Sequence, residues 1–116
     1  MGITYIEGHL SGATGTQDSV RFLVDSGATY SLLPKSVWEP IGLKPKREML
    51  FSLADGTLIH RPVSECHLVL PQDDAHTPVI LGDDDQVLLG VVTLDIFGLM
   101  FNQFNRTLQP MKVMLA

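Results

Sequence analysis

Phe22-Leu23-Val24-Asp25-Ser26-Gly27-Ala28-Thr29-Tyr30-Ser31-Leu32-Leu33-Pro34 is the stretch that decides the fold. Three consecutive apolar residues read as the end of a strand buried on both faces. They run directly into an aspartate, a hydroxyl residue and a glycine, and Leu32-Leu33 then restarts the apolar pattern. A carboxylate at the end of a buried strand is costly unless it is hydrogen-bonded or protonated. Gly27 lets backbone approach that carboxylate and offers an N–H at close range, and the Ser26 hydroxyl can brace the loop. The ordinary reading of Asp-Ser-Gly is a strand-ending turn, so its surroundings have to decide between the two.

Working outward, the chain is a series of short strand-like runs separated by turn residues, the texture of an all-β domain. Ile3 to His9 and Ser19 to Val24 are the first two expected strands, joined by a turn over Ser11-Gly12-Ala13-Thr14-Gly15. Pro34 to Ile41 predicts one or two helical turns ended at Gly42. Lys46 to Leu53 and Thr57 to Arg61 flank Asp55-Gly56, a strong hairpin signal. Pro62 is expected to interrupt the return strand, and Val63 to Leu70 alternates as a half-buried strand does. Pro71 to His76 reads as a polar loop, Pro78 to Leu81 as a short strand, and Val87-Leu88-Leu89-Gly90 as a buried strand ending in glycine. Val91 to Phe97 is the best helix candidate, with Gly98 as its C-cap. Leu99 to Phe104 and Thr107 to Leu115 form a last hairpin around Asn105-Arg106.

The 116 residues suit one domain spanning 1–116 that buries enough surface to need no disulfide. Hydrophobic residues at 45% and charged residues at 18% fit a globular chain rather than a disordered one. A net charge of −5 without a basic stripe makes nucleic acid an unexpected partner. Lys44, Lys46 and Arg47 read as a solvated strand entry. The single cysteine, Cys66, excludes an internal disulfide. The first residues carry neither a signal-peptide pattern nor a myristoylation site, and the longest apolar run, Val87 to Val92, is too short to span a bilayer. A cytoplasmic protein without membrane partners is the resulting expectation.

The segment around Asp25 resembles the active-site loop of retropepsin-like aspartic proteases: apolar residues, Asp-Thr/Ser-Gly, Ala or Ser, then a second apolar pair. Val87-Leu88-Leu89-Gly90 followed by a short helix resembles the second signature of that family, which crosses behind the loop. The hairpin at Ala54-Asp55-Gly56-Thr57 stands where the family carries its flap. Order and spacing match over nearly the whole chain, and Phe51-Ser52-Leu53-Ala54-Asp55-Gly56 and Asn105-Arg106-Thr107-Leu108 are similar to small bacterial members. The resemblance implies a closed β-barrel with one short helix, forming half of a two-fold dimer. It implies an aspartic endopeptidase with Asp25 as catalytic residue, Ser26, Gly27 and Ala28 as loop support, and Ala54, Asp55, Gly56 and Thr57 as the substrate-binding flap. No cofactor or metal is required, and the implied partners are a second copy and an extended peptide. Family chemistry needs two facing aspartates, whereas Asp-[Ser/Thr]-Gly occurs once here. The second aspartate then has to come from another chain, because an isologous contact sets a residue opposite itself.

Competing readings are a peptide-binding module that holds a segment without cutting it, and a structural dimerisation domain. The retained Asp25 and Ser26 favour the peptidase, since a binding groove has no need of a buried carboxylate. His60, Cys66 and His67 do not make a zinc site: neighbours on a strand point to opposite faces. Asp73, Asp74, Asp83, Asp84 and Asp85 lack EF-hand spacing and read as solvated loops. Trp38 and Tyr30 are expected to pack the short helix onto the core, and no Ser–His–Asp set can be assembled.

Overall fold

The structure, a computed structural model, describes residues 3–12, 15, 17–83 and 86–111 and, of Gln17, the backbone alone. Ala13 and Thr14 of the first expected turn, Asp84 and Asp85, and the apolar tail Val113-Met114-Leu115 lie outside the described residues.

Among the described residues, nine strands and two short helices follow in the order β1 (Tyr5–Ser11), β2 (Gln17–Val24), β3 (Ser31–Leu33), α1 (Lys35–Trp38), β4 (Arg47–Ser52), β5 (Leu58–Val69), β6 (Asp74–Leu81), β7 (Leu88–Leu89), α2 (Val91–Phe97), β8 (Leu99–Asn102) and β9 (Thr107–Pro110). The main sheet runs β1-β2-β7-β3-β6-β5-β4, and β1 also pairs with β5. That extra pairing, His9 to Ser11 against His67 to Val69, closes six strands into a barrel and leaves β4 outside the ring. Period-two alternation fills the barrel: Leu10, Phe22, Val24, Leu33, Leu68, Val79, Leu81 and Leu89 point inward and are buried. The second sheet is the β8–β9 hairpin, which begins at the C-cap of α2. Among the described residues no helix is long and apolar enough to cross a membrane.

Several boundaries differ from the sequence expectation: β1 runs on through Ser11, which is expected in the turn, β2 begins at Gln17, β8 ends at Asn102, and the two largest differences lie around β5. Pro62 does not interrupt β5, which runs unbroken from Leu58 to Val69. The Lys46 N–H donates to the Val63 carbonyl at 2.9 Å, so the polar backbone groups of Val63 face the β4 side and those of Pro62 face the opposite side. There the ladder to β6 starts only at Val63, so the missing proline N–H costs no ladder bond. The loop after β5 is also shorter than expected. Asp74, Ala75 and His76 already belong to β6, because β5 is long enough to pair with them at Val69, Leu68 and His67. Helix α1 stops at Trp38 because Pro40 has no N–H to extend the ladder. The chain then turns through Gly42 at φ 75°, with Leu43 N–H bonding the Trp38 carbonyl at 3.1 Å and Gly42 N–H the Glu39 carbonyl at 3.0 Å, a Schellman closure. Trp38 packs on the core as expected, its indole N–H donating to the Gly82 carbonyl at 2.8 Å. Tyr30 does not join it; its ring meets Phe51 of β4 edge-on, with centroids 5.9 Å apart.

Strand β7 fixes the loop between β2 and β3. It sits between those strands, parallel to β2 and antiparallel to β3. Gly90 follows it at a point where a Cβ would lie 2.5 Å from the Tyr30 carbonyl carbon and 2.9 Å from the Ser31 nitrogen. Those are backbone atoms and cannot swing aside, so only glycine passes. Beside this crossing lies a buried chain of hydroxyls that pattern reading of the sequence does not reveal. Thr77 Oγ1 donates to the Pro78 carbonyl at 3.2 Å, so it must accept the 2.8 Å bond from Thr93 Oγ1. Thr93 then accepts from Ser31 Oγ at 2.6 Å, and Ser31 accepts the Gly90 N–H at 3.0 Å. Every hydroxyl proton has one destination, and β3, β6, α2 and the Gly90 backbone are tied together in the dry interior.

Three outcomes are expected. Thr93→Val keeps the volume but leaves the Ser31 proton and a Thr77 lone pair unmatched, which is expected to cost about 1–3 kcal/mol in urea unfolding. Gly90→Ala, which drives a methyl into backbone, is expected to lose about 3 kcal/mol, read the same way. Burial, reinforced by the Glu65 charge, pushes the Cys66 thiol up to about 12. An unfolded thiol ionises from roughly pH 8.5, so this contribution is whole below that pH and is lost as pH rises toward the folded value. Stability is expected to decline above about pH 8.5, and Cys66→Val to flatten that decline.

Candidate active site

Asp25 leaves the end of β2 half-buried, with its backbone N–H donating to the Leu89 carbonyl at 3.1 Å. The next bonds shape the loop. Ala28 N–H closes a turn onto the Asp25 carbonyl at 3.1 Å, and Gly27 N–H donates to Asp25 Oδ1 at 2.9 Å. The glycine donor that the sequence suggests is therefore in place, and a Cβ on Gly27 would stand 3.2 Å from that same carboxylate oxygen. Among the described residues this is the single hydrogen bond to the Asp25 carboxylate, and its remaining acceptor capacity is open. Ser26 and Gly27 are exposed and Ala28 is half-buried, and the Ser26 hydroxyl has no partner among the described residues.

The loop is held from behind by α2. Val91 N–H donates to the Ala28 carbonyl at 2.9 Å and Val92 N–H to the Thr29 carbonyl at 2.8 Å. A helix start leaves its first N–H groups without intrahelical partners. Gly90, the N-cap, has no side chain to satisfy them. The loop carbonyls do so instead, which makes helix and loop one unit.

In front of the carboxylate lies a hollow of about 480 Å³ lined by Val24, Asp25, Ser26, Phe101, Gln103, Phe104 and Arg106. The part played here by the β8–β9 hairpin was missed from sequence, where Asn105-Arg106 read as a turn and as part of a family likeness, without a place in the site. Its one available signal was Phe104, an aromatic residue in an otherwise polar turn.

Ala54, Asp55, Gly56 and Thr57 form the exposed tip of the β4–β5 hairpin and lie outside the Asp25 hollow. Gly56 takes φ 87°, and Leu53 N–H reaches the Thr57 carbonyl at 2.7 Å. The Thr57 hydroxyl, followed by its N–H at 2.9 Å from Oδ1, holds the Asp55 carboxyl below its usual range. Asp55 is thus occupied in keeping the turn. The hairpin is linked to the Asp25 loop through the Tyr30–Phe51 ring contact.

A second hollow, of about 550 Å³, lies where the Gly42 to Lys46 segment passes Ser64 to His67 and shares no residue with the first. His67 bonds Asp74 at 2.7 Å there, while Cys66 is buried in the core. Among the described residues no three His, Cys, Asp or Glu side chains gather as metal ligands would.

The comparisons with known proteins agree with this geometry. A protease from simian foamy virus (mac), solved in solution, superposes with a TM-score of 0.59 at 19% identity, covering 81% of this chain and 94% of its own. EIAV protease, complexed with the inhibitor HBY-793, superposes with a TM-score of 0.63 at 15% identity, covering 84% and 89%. At such identities the likeness is one of fold. A search of curated protein sequences finds no match. The family described as "gag-polyprotein putative aspartyl protease" matches residues 11–95, a span that holds the Asp25 loop, the β4–β5 hairpin, the Gly90 crossing and most of α2. The chain therefore belongs to the retropepsin-like aspartyl protease family.

Proposed function

We propose that the protein is an aspartic endopeptidase whose active site is completed by a second copy of the chain, with Asp25 and the partner's Asp25 as its dyad. The observation that carries this reading is the Asp25 loop. A half-buried carboxylate is braced by a single N–H, on a loop locked from behind by β7 and α2, and faces an open hollow. One such carboxylate is half of the chemistry, and Asp-Ser-Gly occurs once in the sequence.

Two carboxylates a few ångströms apart cannot both ionise, so the pair shares one proton. The ionised member takes a proton from a water held between the two. That water attacks the carbonyl carbon of the scissile peptide, while the protonated member donates to the carbonyl oxygen. The amide C–N bond then breaks, and the proton taken from water goes to the leaving amine. Ser26, exposed beside Asp25, supplies a hydroxyl to brace one loop against the other. The tip at Ala54, Asp55, Gly56 and Thr57 acts as a flap that lies over an extended substrate, which pairs through main-chain hydrogen bonds as an added strand does.

Incubation of the wild type and Asp25→Asn with a random peptide library, read by mass spectrometry, tests this. Asparagine keeps the shape and can still accept the Gly27 N–H, but it passes no proton. Cleavage is expected to fall by more than about a hundredfold with the thermal unfolding midpoint little changed. Wild-type cleavage is expected to trace a bell with an acidic optimum, about pH 4 to 6, because only the singly protonated pair is competent. Turnover by Asp25→Asn at the wild-type rate would remove Asp25 from the mechanism. Peptide retained but never cut by the wild type would support a binding module instead.

A further inference from the structure

Phe104 stands fully exposed at the tip of the β8–β9 hairpin. A lone apolar residue on a surface is ordinary and carries no message; three features set this one apart. The first is its place. With Phe101, Gln103 and Arg106 it makes one wall of the hollow whose other wall is Val24, Asp25 and Ser26. A two-fold contact that sets Asp25 against its mate brings whatever borders Asp25 against the partner as well. The hairpin tip shares the hollow with Asp25 and is carried into that contact.

The second feature is how firmly the tip is shaped. Asn102 Oδ1 accepts the Phe104 N–H at 2.9 Å and the Asn105 N–H at 3.3 Å, and Thr107 Oγ1 donates to Asn105 Oδ1 at 2.6 Å. Arg106 takes φ 55°, the left-handed region that disfavours side chains with a Cβ, while the better-suited Asn105 beside it does not. A tip fixed in advance gives up little conformational freedom on docking. The third is the opposite flank of the loop. Val24 N–H bonds the Thr4 carbonyl at 2.9 Å, which places exposed Ile3 next to it, and the buried Thr4 hydroxyl has no hydrogen-bond partner among the described residues. The Asp25 loop is thus bordered on both sides by apolar groups left in water, with an unmatched hydroxyl among them.

We infer that Phe104 is an intersubunit anchor: the tip of the β8–β9 hairpin seats against the second copy and closes the outer wall of the hollow beside the partner's Asp25. This rests on the reading that the peptidase is a homodimer. By symmetry each dimer contains the contact twice, so one substitution acts twice on association.

Sedimentation velocity across a concentration series, on the wild type, Phe104→Ala and Phe104→Asp, reads the anchor directly. Phe104→Ala is expected to raise the dimer dissociation constant at least tenfold and Phe104→Asp at least a hundredfold. Because Phe104 is fully exposed within one chain, both variants are expected to keep the wild-type near-ultraviolet circular dichroism. A dissociation constant for Phe104→Asp within threefold of wild type would overturn the proposal, as would a wild type that stays monomeric at high micromolar concentration. Peptide cleavage is scored separately. A dimer that needs Phe104 yet cuts nothing keeps the anchor and removes the peptidase. A peptidase whose association ignores Phe104→Asp keeps the peptidase and removes the anchor.

Discussion

The rest of the structure depends on one close approach, the passage of the Gly90 backbone beneath Tyr30 and Ser31. A Cβ there would sit 2.5 Å from the Tyr30 carbonyl carbon, closer than nonbonded atoms approach. Because the passage is possible, β7 can lie between β2 and β3, and the two signature segments of the sequence meet, Leu88 pairing with Leu23 and with Leu32 far back along the chain. The Asp25 N–H then reaches Leu89, and α2 starts where Ala28 and Thr29 offer carbonyls to its unsatisfied N–H groups. The hydroxyls of Ser31, Thr93 and Thr77 finish the arrangement by consuming each remaining donor in order. A buried polar network stabilises only when it is fully satisfied, and this one has a destination for every proton.

That rigidity bears on the carboxylate. Asp25 hangs from a loop tied to β7 and α2 by backbone hydrogen bonds, yet it receives only one hydrogen bond from the described residues and is half open to solvent. Such a group is fixed in position but left incomplete electrostatically. For the dyad proposed above, placement would precede chemistry, because small errors of position in one chain would be doubled in the pair. Membership of the aspartyl protease family and a barrel shared with two viral proteases accord with a scaffold of this kind.

Much of this was legible in the sequence because it is written in short-range chemistry. Asp55-Gly56 declares its hairpin locally, and Gly98 at φ 66° caps α2 where the Val91, Leu94 and Phe97 spacing ended it. The apolar run into Asp25 and the glycine at 90 identified the loop and its crossing through resemblance. What escaped depends on partners far away in sequence. Pro62 reads as a strand breaker until one knows that the β6 ladder begins one residue later. Ser31, Thr77 and Thr93 are unremarkable small polar residues until β3, β6 and α2 converge on them. Tyr30 was expected on the short helix, but it turns to Phe51, because β4 extends beyond the closed barrel and leans over the loop. In each case a long-range pairing, invisible to periodicity, outweighed a local preference.

Strand β5 belongs in part to the closed barrel and in part to the hairpin that leaves it. From Val63 to Val69, β5 is barrel, paired with β6 and, at its end, with β1. From Leu58 to Val63 it pairs with β4, which has no further neighbour in the sheet. The hairpin is therefore rooted in the barrel, and at its tip the bonds are local and Leu53, Leu58 and Asp55 face water. Its one described tie to the Asp25 loop is a ring contact between Tyr30 and Phe51, an interaction worth about 1 kcal/mol beyond area burial and lacking the directionality of a hydrogen bond. The Asp25 loop, by contrast, is tied to β7 and α2 by backbone hydrogen bonds. Within one closed barrel, β5 carries the β4–β5 hairpin out of the ring, and β7, inserted between β2 and β3, holds the Asp25 loop in place.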